Sequence, residues 1–267
     1  MKKTLLLSLS LSSLLLASEE HISVGLALAY MNNIVEVSSE QFDQLRNTDK
    51  HFKANVDMLY SDTYTISNLS AAYVYNDLIG LHANIPALYN DVTSSNGIGD
   101  TAVSATLNIA ALTHDEHFST NLLGFRYTFK TGDENKGLGS GSDSFAIMWD
   151  SSGELGNGFY GYASLMWTFY EDSVDGITPG DEDTGWVGIR HKCLLNEQLD
   201  TTIKLNWQTR YSSGPVEGYN LVDATLEWSS DRLVKNIPFK FGMKIPVWDS
   251  NAVKNEFSLF AGIGGTF

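Results

Sequence analysis

Cysteine and proline are scarce in this sequence, and long apolar runs are almost absent from it. One cysteine, Cys193, and five prolines occur in 267 residues. A framework of disulfides is therefore excluded as the source of stability. Beyond the N-terminal region, no segment reaches the ~18 consecutive apolar residues of a transmembrane helix. The mean hydropathy of −0.13 likewise excludes a bundle of membrane helices.

Basic residues are also few. The chain has 17 Lys and Arg against 32 Asp and Glu, which gives a formal charge of −15. A surface with this excess of acid repels phosphate groups, so nucleic acid is not expected as a partner. Hydrophobic residues make up 43% of the chain, which is too many for a disordered protein.

The N-terminus carries the features of an export signal. Lys2 and Lys3 precede an apolar run from Leu5 to Leu16, and small residues follow at Ala17 and Ser18. This arrangement predicts a secretory signal peptide over residues 1–17 and a mature, exported chain over 18–267.

The pattern of the mature chain is alternation with period two. Ile203, Leu205 and Trp207 share one face of an extended segment, and the polar residues Lys204 and Asn206 share the other. Equivalent segments predict twelve strands, at 21–31, 62–75, 79–89, 101–112, 117–130, 142–150, 158–170, 184–192, 200–211, 219–228, 236–247 and 256–267. The stretch 51–60 alternates as well, and it is interpreted as an extension of the second strand because a thirteenth strand would break the even count of bacterial barrels.

Twelve alternating strands in an exported chain predict an all-β fold, an antiparallel transmembrane β-barrel in the outer membrane of a Gram-negative cell. The last segment places Phe257, Leu259, Ala261, Ile263 and the terminal Phe267 on one face. Such an ending resembles the assembly signal of outer-membrane barrels, which implies outer-membrane lipid and the barrel-assembly machinery as partners. The alternative is the last strand of a soluble β-protein.

Segment lengths predict the orientation of the barrel. With the N-terminus in the periplasm, the connections that fall outside are long, and those that fall inside include the tight turn Asn76-Asp77-Leu78. The long outer loops are expected near 32–61, 90–100, 131–141 and 171–183.

Charged residues of the predicted strands are expected on the side of each strand that faces the lumen, because a charge that faces lipid costs ~2–4 kcal/mol at the midplane. The candidate lumen residues are Arg126, Lys130, Arg190, Lys192, Lys204, Arg210, Asp223, Glu227, Lys240 and Lys244. Two interpretations stay open: a salt-bridged, partly filled lumen that stiffens the barrel, and a basic constriction that selects anionic or polar solutes.

Three tyrosines share the inward parity of the segment 158–170. Tyr160, Tyr162 and Tyr170 lie opposite the apolar set that includes Trp167 and Phe169. They are candidates for an aromatic track along the lumen. The alternative is an aromatic girdle at the membrane interface.

Other motifs suggest chemistry that their context does not support. Residues 97–102 match a dinucleotide fingerprint by letters, but an alternating strand follows where that motif needs a helix, so its glycines are expected to allow positive φ in a turn. The acidic loop 171–183 offers weak divalent-cation binding as an alternative to a solvated loop. His191 has no serine partner for catalysis at the lipid face. We therefore expect no enzyme, no metal and no cofactor.

Several glycine-rich segments are similar to those of a known family. Gly97-Ile98-Gly99-Asp100, Lys130-Thr131-Gly132-Asp133, Gly137-Leu138-Gly139-Ser140-Gly141 and Ile177-Thr178-Pro179-Gly180-Asp181 resemble, in order and spacing, the meta-pathway phenol-degradation outer-membrane proteins. The chain departs from them in having Lys130 where the family usually has Pro. The resemblance implies a 12-strand barrel with a role in uptake of hydrophobic or aromatic compounds.

The expected function is thus an outer-membrane channel or transporter for small organic molecules, with a small-molecule substrate that passes through the lumen. The alternative is a structural or stress-related barrel with a closed lumen and no transported substrate.

Overall fold

The wall of the molecule is one closed antiparallel sheet. The computed structural model describes residues 51–267 except 62–63, 91–93, 114–117, 134–135, 137, 172–178, 197, 214–216, 233–236 and 251–255. Its strands are β1 (Phe52–Tyr60), β2 (Tyr64–Tyr75), β3 (Ile79–Asn90), β4 (Ser95–Ile98), β5 (Thr101–Asn108), β6 (Thr120–Phe129), β7 (Ser144–Gly156), β8 (Phe159–Tyr170), β9 (Glu182–Asn196), β10 (Leu199–Arg210), β11 (Tyr219–Ser230), β12 (Phe239–Asp249) and β13 (Ser258–Thr266).

Apart from β4, which pairs with β3 beside β5, each strand pairs with the next long strand. The sheet closes because β1 also pairs with β13, from Lys53 opposite Thr266 to Tyr60 opposite Leu259. The short strand β4 occupies the same edge of β3 as β5 does, and so continues it. The wall is therefore a closed antiparallel barrel of 12 strands, and the prediction of an all-β outer-membrane barrel is confirmed.

The first strand of this wall differs from the expectation. Residues 52–60 form a strand of their own that pairs on one side with β2 and on the other with β13. The interpretation of 51–60 as an extension of the second strand was wrong, because the even count said only how many strands close the barrel and not which segments they are. The predicted strand 21–31 and the signal peptide 1–17 lie outside the described residues.

The two ends of the barrel differ in their connections. One end, called the turn end, has hairpins at 76–78 and 157–158, and the other, the loop end, has the long segments 130–143 and 171–181. Of the predicted outer loop 32–61, the part 52–60 is strand. Of the predicted loop 90–100, the part 95–98 is strand β4, so these two connections are shorter than expected.

Local sequence explains the tight turns. Asn76 and Asp77 both have positive φ, 49° and 57°, and Leu78 N–H donates to the carbonyl of Tyr75 at 3.0 Å. Two successive positive φ angles are typical of the type I′ turn, whose twist matches that of a hairpin, and Asn and Asp tolerate them well.

One predicted strand ends early. The segment 101–112 is a strand only to Asn108, and a one-turn helix α1 (Ile109–Thr113) follows it. Ala and Leu favour the helix, and Thr113 Oγ1 donates to the Ile109 carbonyl at 2.9 Å. In the part of the chain that is described, no helix has the length and apolar content of a membrane span.

The closure of the barrel is testable by cross-linking. Val56 lies directly opposite Ile263, and both side chains are on the outer face. In a Cys193→Ser background, we expect Val56→Cys with Ile263→Cys to form a disulfide under mild oxidation, because opposite residues of an antiparallel pair have Cα atoms ~4.5–5.5 Å apart. Non-reducing gels of unboiled and boiled protein measure it.

The control pairs Val56→Cys with Ile245→Cys, which is on the outer face of β12 and has no contact with β1. That pair should not cross-link within one barrel. Equal yields for the two pairs, or no disulfide between β1 and β13, would contradict the closure.

Candidate functional site

The two faces of the wall differ sharply in polarity. Large apolar side chains such as Leu69, Phe125 and Ile203 are exposed on the outer face, whereas polar side chains such as Asn68, Asn84 and Thr202 are buried inside. This is the two-sided alternation of a membrane barrel, with apolar residues toward lipid and polar residues toward the lumen. The candidate functional site is therefore the lumen.

The buried charges of the inner wall are balanced. Among the described strand residues that are buried, five are basic and five are acidic, although the whole chain has 17 basic and 32 acidic residues. The ten are Lys53, Asp57, Arg126, Asp150, Glu182, Arg190, Arg210, Asp223, Glu227 and Lys244. The excess of acid thus lies elsewhere.

Nine of the ten candidate lumen residues lie within strands. Arg126, Arg190, Arg210, Asp223, Glu227 and Lys244 are buried, Lys204 and Lys240 are half-buried, and Lys192 is exposed near the turn end. Lys130 is a correction: β6 ends at Phe129, so Lys130 is an exposed residue of the following loop, and its N–H donates to Asp143 Oδ1 at 2.8 Å.

Arg210 is held by a carboxylate that the sequence did not indicate. It lies directly opposite Glu182 on β9, and its Nε and one terminal nitrogen donate to Glu182 Oε2 at 3.2 and 2.8 Å. The side chains of this pair are 2% and 0% exposed. The same guanidinium also donates to Tyr170 Oη at 3.1 Å. The register of β9 with β10 thus gives Arg210 a partner other than Asp223 or Glu227.

The other inward carboxylates have separate partners. Asp223 Oδ1 accepts from Asn206 Nδ2 at 2.6 Å. Lys240 Nζ lies 3.1 Å from Asp57 Oδ1, although β13 separates the two strands. Gly262 lies between them in the register, and a Cβ there would overlap Asp57 and approach Lys240 Cε to 2.9 Å. The missing side chain is what allows this ion pair to span three strands.

Cations and aromatic rings form a column along β8, β9 and β10, and Tyr219 of β11 joins it at the loop end. We call it the cation–aromatic ladder. Its members, from the turn end to the loop end, are Lys192 over Tyr160 (4.6 Å to the ring centroid), Arg190 over Tyr160 and Tyr162 (5.3 and 5.4 Å), Lys204 over Trp186 (4.6 Å) and Arg210 over Tyr170 and Tyr219 (5.2 and 5.5 Å).

The ladder extends through most of the wall. On β9 the ladder runs from Lys192 to the level of Glu182, which lies opposite Arg210. At ~3.3 Å per residue this is about 33 Å along the strand. Because strands of membrane barrels tilt by ~35–45°, it corresponds to about 25 Å across the membrane, the height of the apolar band of such barrels. Tyr160, Tyr162 and Tyr170 all lie on the lumen side of β8. The aromatic track and the girdle at the membrane interface both stay predictions. Tyr170 is at the loop end and the other two are near the turn end.

A second cluster, called the Asp100 cluster, lies at the loop end. Asp100 Oδ1 accepts from Gly132 N–H at 2.9 Å, and Oδ2 accepts from Ser140 N–H at 2.6 Å and from Ser140 Oγ at 2.8 Å. Thr131 Oγ1 donates to the Gly99 carbonyl at 2.7 Å. Burial raises the pKa of Asp100, and the hydrogen bonds from Ser140 and Gly132 oppose that rise. Three of the glycine-rich segments thus meet around one carboxylate.

Gly97 and Gly99 of this cluster serve packing rather than positive φ. Leu138 is buried, and its side chain lies where a Cβ at Gly97 would be, at 2.7 Å. At Gly99 a Cβ would overlap Leu88 and approach the Leu138 carbonyl to 3.1 Å. The expectation of a positive-φ turn at 97–99 was wrong, since neither of these two glycines has positive φ. Their role is to let the loop 130–143 pack against β3 and β4.

The acidic loop does not gather its carboxylates in the part that is described. Glu182 points into the lumen, Asp183 Oδ2 accepts from Tyr211 Oη at 2.6 Å, and Asp181 accepts weakly from Tyr170 N–H at 3.4 Å. Among described residues, no group of three His, Cys, Asp or Glu side chains converges as metal ligands would. Residues 172–178 of this loop lie outside the described part. His191 is on the outer parity, with its ring centroid 4.3 Å from that of Phe159.

Comparison with known proteins places the fold among outer-membrane channels. No protein-family model matches the sequence, and no curated protein matches it. The COG4313 outer membrane channel from Pseudomonas putida F1 superposes with a TM-score of 0.60 at 10% identity, over 82% of this chain and 96% of that chain. The KdgM porin gives 0.57 at 11%, over 80% and 99%, and the NanC porin gives 0.55 at 9%, over 81% and 98%.

Identities this low show the fold alone, which is that of an outer-membrane barrel. Together with the apolar outer face of the wall, this fold gives the outer membrane as the location of the chain. A second KdgM porin structure is a complex with disordered oligogalacturonate.

Sequence reasoning missed several lumen residues for different reasons. Lys53 and Asp57 fall in the predicted outer loop 32–61, Glu182 falls in the predicted outer loop 171–183, and Trp186 was not distinguished by type from other strand residues. Alternation does show their inward parity once the strand is placed. Gly188 and Gly262 carry no such signal, because only the register shows which side chains cross them.

Arg210 and Lys204 offer a matched pair of substitutions. Arg210→Gln strands the buried Glu182 and should lower the free energy of unfolding by ~3–5 kcal/mol. Lys204→Gln loses a half-exposed cation–π contact and should cost only ~0.5–1 kcal/mol. Urea unfolding in detergent micelles measures both. A double variant, Arg210→Leu with Glu182→Leu, should recover most of the loss. Equal costs for the two single variants would contradict this assignment of partners.

The Asp100 cluster predicts a loop phenotype. Asp100→Ala leaves the N–H groups of Gly132 and Ser140 without their acceptor, and it should cost ~1–3 kcal/mol and expose the 130–143 loop to protease. The control is Asp133→Ala in the same loop, which removes an exposed ion pair with Lys136 and should cost at most ~1 kcal/mol. Limited proteolysis and thermal unfolding measure both, and indistinguishable cleavage rates would contradict the role of Asp100.

Proposed function

We propose that this barrel is a passive channel of the outer membrane for small organic molecules. The observation that carries the proposal is the cation–aromatic ladder, which lines the lumen over about the thickness of the membrane. A closed barrel with a structural role alone would not require cations and aromatic rings in a column from one end of the lumen to the other.

The size of the barrel limits what passes. Twelve strands lie between the ~8 strands whose interior is filled by side chains and the ~16 strands of an open aqueous channel. Buried inward side chains such as Tyr162, Met166 and Trp186 narrow the passage further. The substrate is therefore a small molecule rather than a folded or branched polymer.

The finer class of substrate rests on the resemblance and on the neighbours. Similarity to the meta-pathway phenol-degradation proteins favours aromatic or hydrophobic compounds, and the rings of the ladder suit such molecules. The structural neighbours are channels and porins rather than enzymes, which supports a non-enzymatic role. One KdgM porin structure is a complex with disordered oligogalacturonate, and the fold of that porin is shared here, which supports small organic molecules as substrates.

Assembly and membrane partners are part of the proposal. Phe257, Leu259, Ile263 and Phe267 are exposed on the outer face of the last strand, and Phe267 is 70% exposed. We propose that this face first contacts the barrel-assembly machinery and afterwards the lipid.

A second candidate is a closed structural barrel. The fully buried Arg210–Glu182 pair and the packed Asp100 cluster favour it, since both fill the loop end with desolvated groups. The two candidates differ in whether solutes cross the barrel.

Conductance decides between them. Purified, folded protein in planar lipid bilayers should give discrete conductance steps, and liposomes that contain it should swell in solutions of small sugars or aromatic acids. Protein that has been boiled is the control and should give neither result. A folded barrel, verified by its altered mobility on unboiled gels, that neither conducts nor admits any solute would overturn the channel and support the closed barrel.

A further inference from the structure

We propose that a groove on the outer face of the barrel holds one acyl tail of a membrane phospholipid. This groove, called the outer groove, has a volume of about 560 Å³ and lies across β2, β3, β5 and β6. It is on the opposite side of the wall from the lumen. The inference therefore goes beyond the proposed channel and does not depend on whether solutes cross the barrel.

The register of the four strands explains where the groove forms. Two rows of outer-face residues run side by side across these strands and border it. The rows are Tyr73–Leu81–Ala105–Phe125 and Ala71–Ala83–Val103–Tyr127. Between them runs a row of inner-face residues, which presents only backbone to the outside because successive side chains of a strand point to opposite faces. The backbone of that row is the floor of the outer groove.

Three alanines make the groove deep. Ala71, Ala83 and Ala105 occupy outer-face positions in its two rows. Neighbouring outer-face positions of the same strands carry large exposed side chains, such as Leu69 on β2 and Ile85 on β3. The groove is therefore a local depression in an otherwise bulky apolar surface.

The lining of the groove offers no charge to an occupant. Phe52 on β1 and Phe145 on β7 stand at its two ends, and the ring of Phe125 stacks on that of Phe145 with centroids 5.8 Å apart. His82 and Arg126 also border it, but they belong to the inner-face row and are 6% and 5% exposed. An occupant of the outer groove therefore meets aliphatic and aromatic groups rather than ions.

The dimensions of the groove suit a single hydrocarbon chain. Four adjacent strands at a spacing of ~4.8 Å give it a length of about 14 Å, and rows two residues apart lie ~6.6 Å from each other. A transmembrane helix with its side chains is ~10–12 Å across and is too wide to enter. A second copy of the barrel is a poor occupant, because 14 residues border the groove whereas a stable interface uses ~20–30 residues on each side.

Lipid is the material that surrounds this face of the wall. The outer groove is continuous with the apolar outer face, which contacts lipid in the membrane. An unfilled groove loses van der Waals contacts, and within a bilayer such packing drives association. Tyr73 and Leu81 each lie two residues from the turn-end limit of their strand, so a tail from the leaflet at that end reaches the groove. On the predicted orientation this is the periplasmic leaflet, which consists of phospholipid.

The test is photolabelling of the intact barrel in a bilayer. Purified protein is reconstituted into phosphatidylethanolamine vesicles with a trace of phosphatidylcholine that carries a diazirine in the middle of one acyl tail. Irradiation attaches the tail to the residues beside it, and peptide mass spectrometry locates the label. We expect the label to be concentrated on the outer face of β2, β3, β5 and β6, with much less on β9 to β12.

Variants that fill the groove locate the tail. Ala83→Leu with Ala105→Leu should reduce labelling of the groove by about tenfold, because added side chains overpack a site that the tail already fills. The matched control is Ala163→Leu with Ala224→Leu, on the outer face of β8 and β11, which should leave labelling of the groove unchanged. Altered mobility on unboiled gels verifies that each variant is folded.

Native mass spectrometry in detergent gives a second measurement. A phospholipid that is retained by the native barrel and by the control, and lost from the groove variant, supports the proposal. Label spread evenly over the whole outer face, or groove labelling that is unchanged by Ala83→Leu with Ala105→Leu, overturns it. A dimer that only the groove variant dissociates identifies a second copy as the occupant and overturns the acyl tail.

Discussion

Every backbone N–H and C=O group of a strand in lipid needs a partner within the protein, because hydrocarbon offers none. In this chain the requirement is met where Lys53 to Tyr60 pairs with the C-terminal strand, and the sheet has no free edge across that seam. Closure then fixes which side of each strand faces inward. The polar lumen, the apolar belt and the placement of every charge in the wall follow from it.

Closure also restricts the space inside the barrel. At two positions a glycine leaves room for the side chain of a neighbouring strand. Gly262 lets Lys240 reach Asp57 across an intervening strand, and Gly188 lets Lys204 lie over its neighbour. Long charged side chains therefore extend sideways along the wall instead of filling the centre. Such lateral contacts leave more of the cross-section to solutes than side chains directed at the barrel axis would.

The sequence indicates on which face of a strand a residue lies far better than it indicates which residues it contacts. Period-two alternation placed Arg190, Lys204 and Arg210 on the inner face without knowledge of any contact. It could not choose Glu182 for Arg210, because each strand has two neighbours and their register depends on turns and bulges. It also could not choose 52–60 over 21–31 as the strand that completes the wall, since both segments alternate.

The distribution of charge connects the fold to its proposed use. The chain has a formal charge of −15, yet the buried basic and acidic residues of the strands are equal in number. The ladder adds the half-buried Lys204 and the exposed Lys192 to them. The field of exposed acids is screened within about 8–10 Å at physiological ionic strength. Deep in the lumen, the balanced charges of the wall and the rings of the ladder therefore govern what a solute experiences.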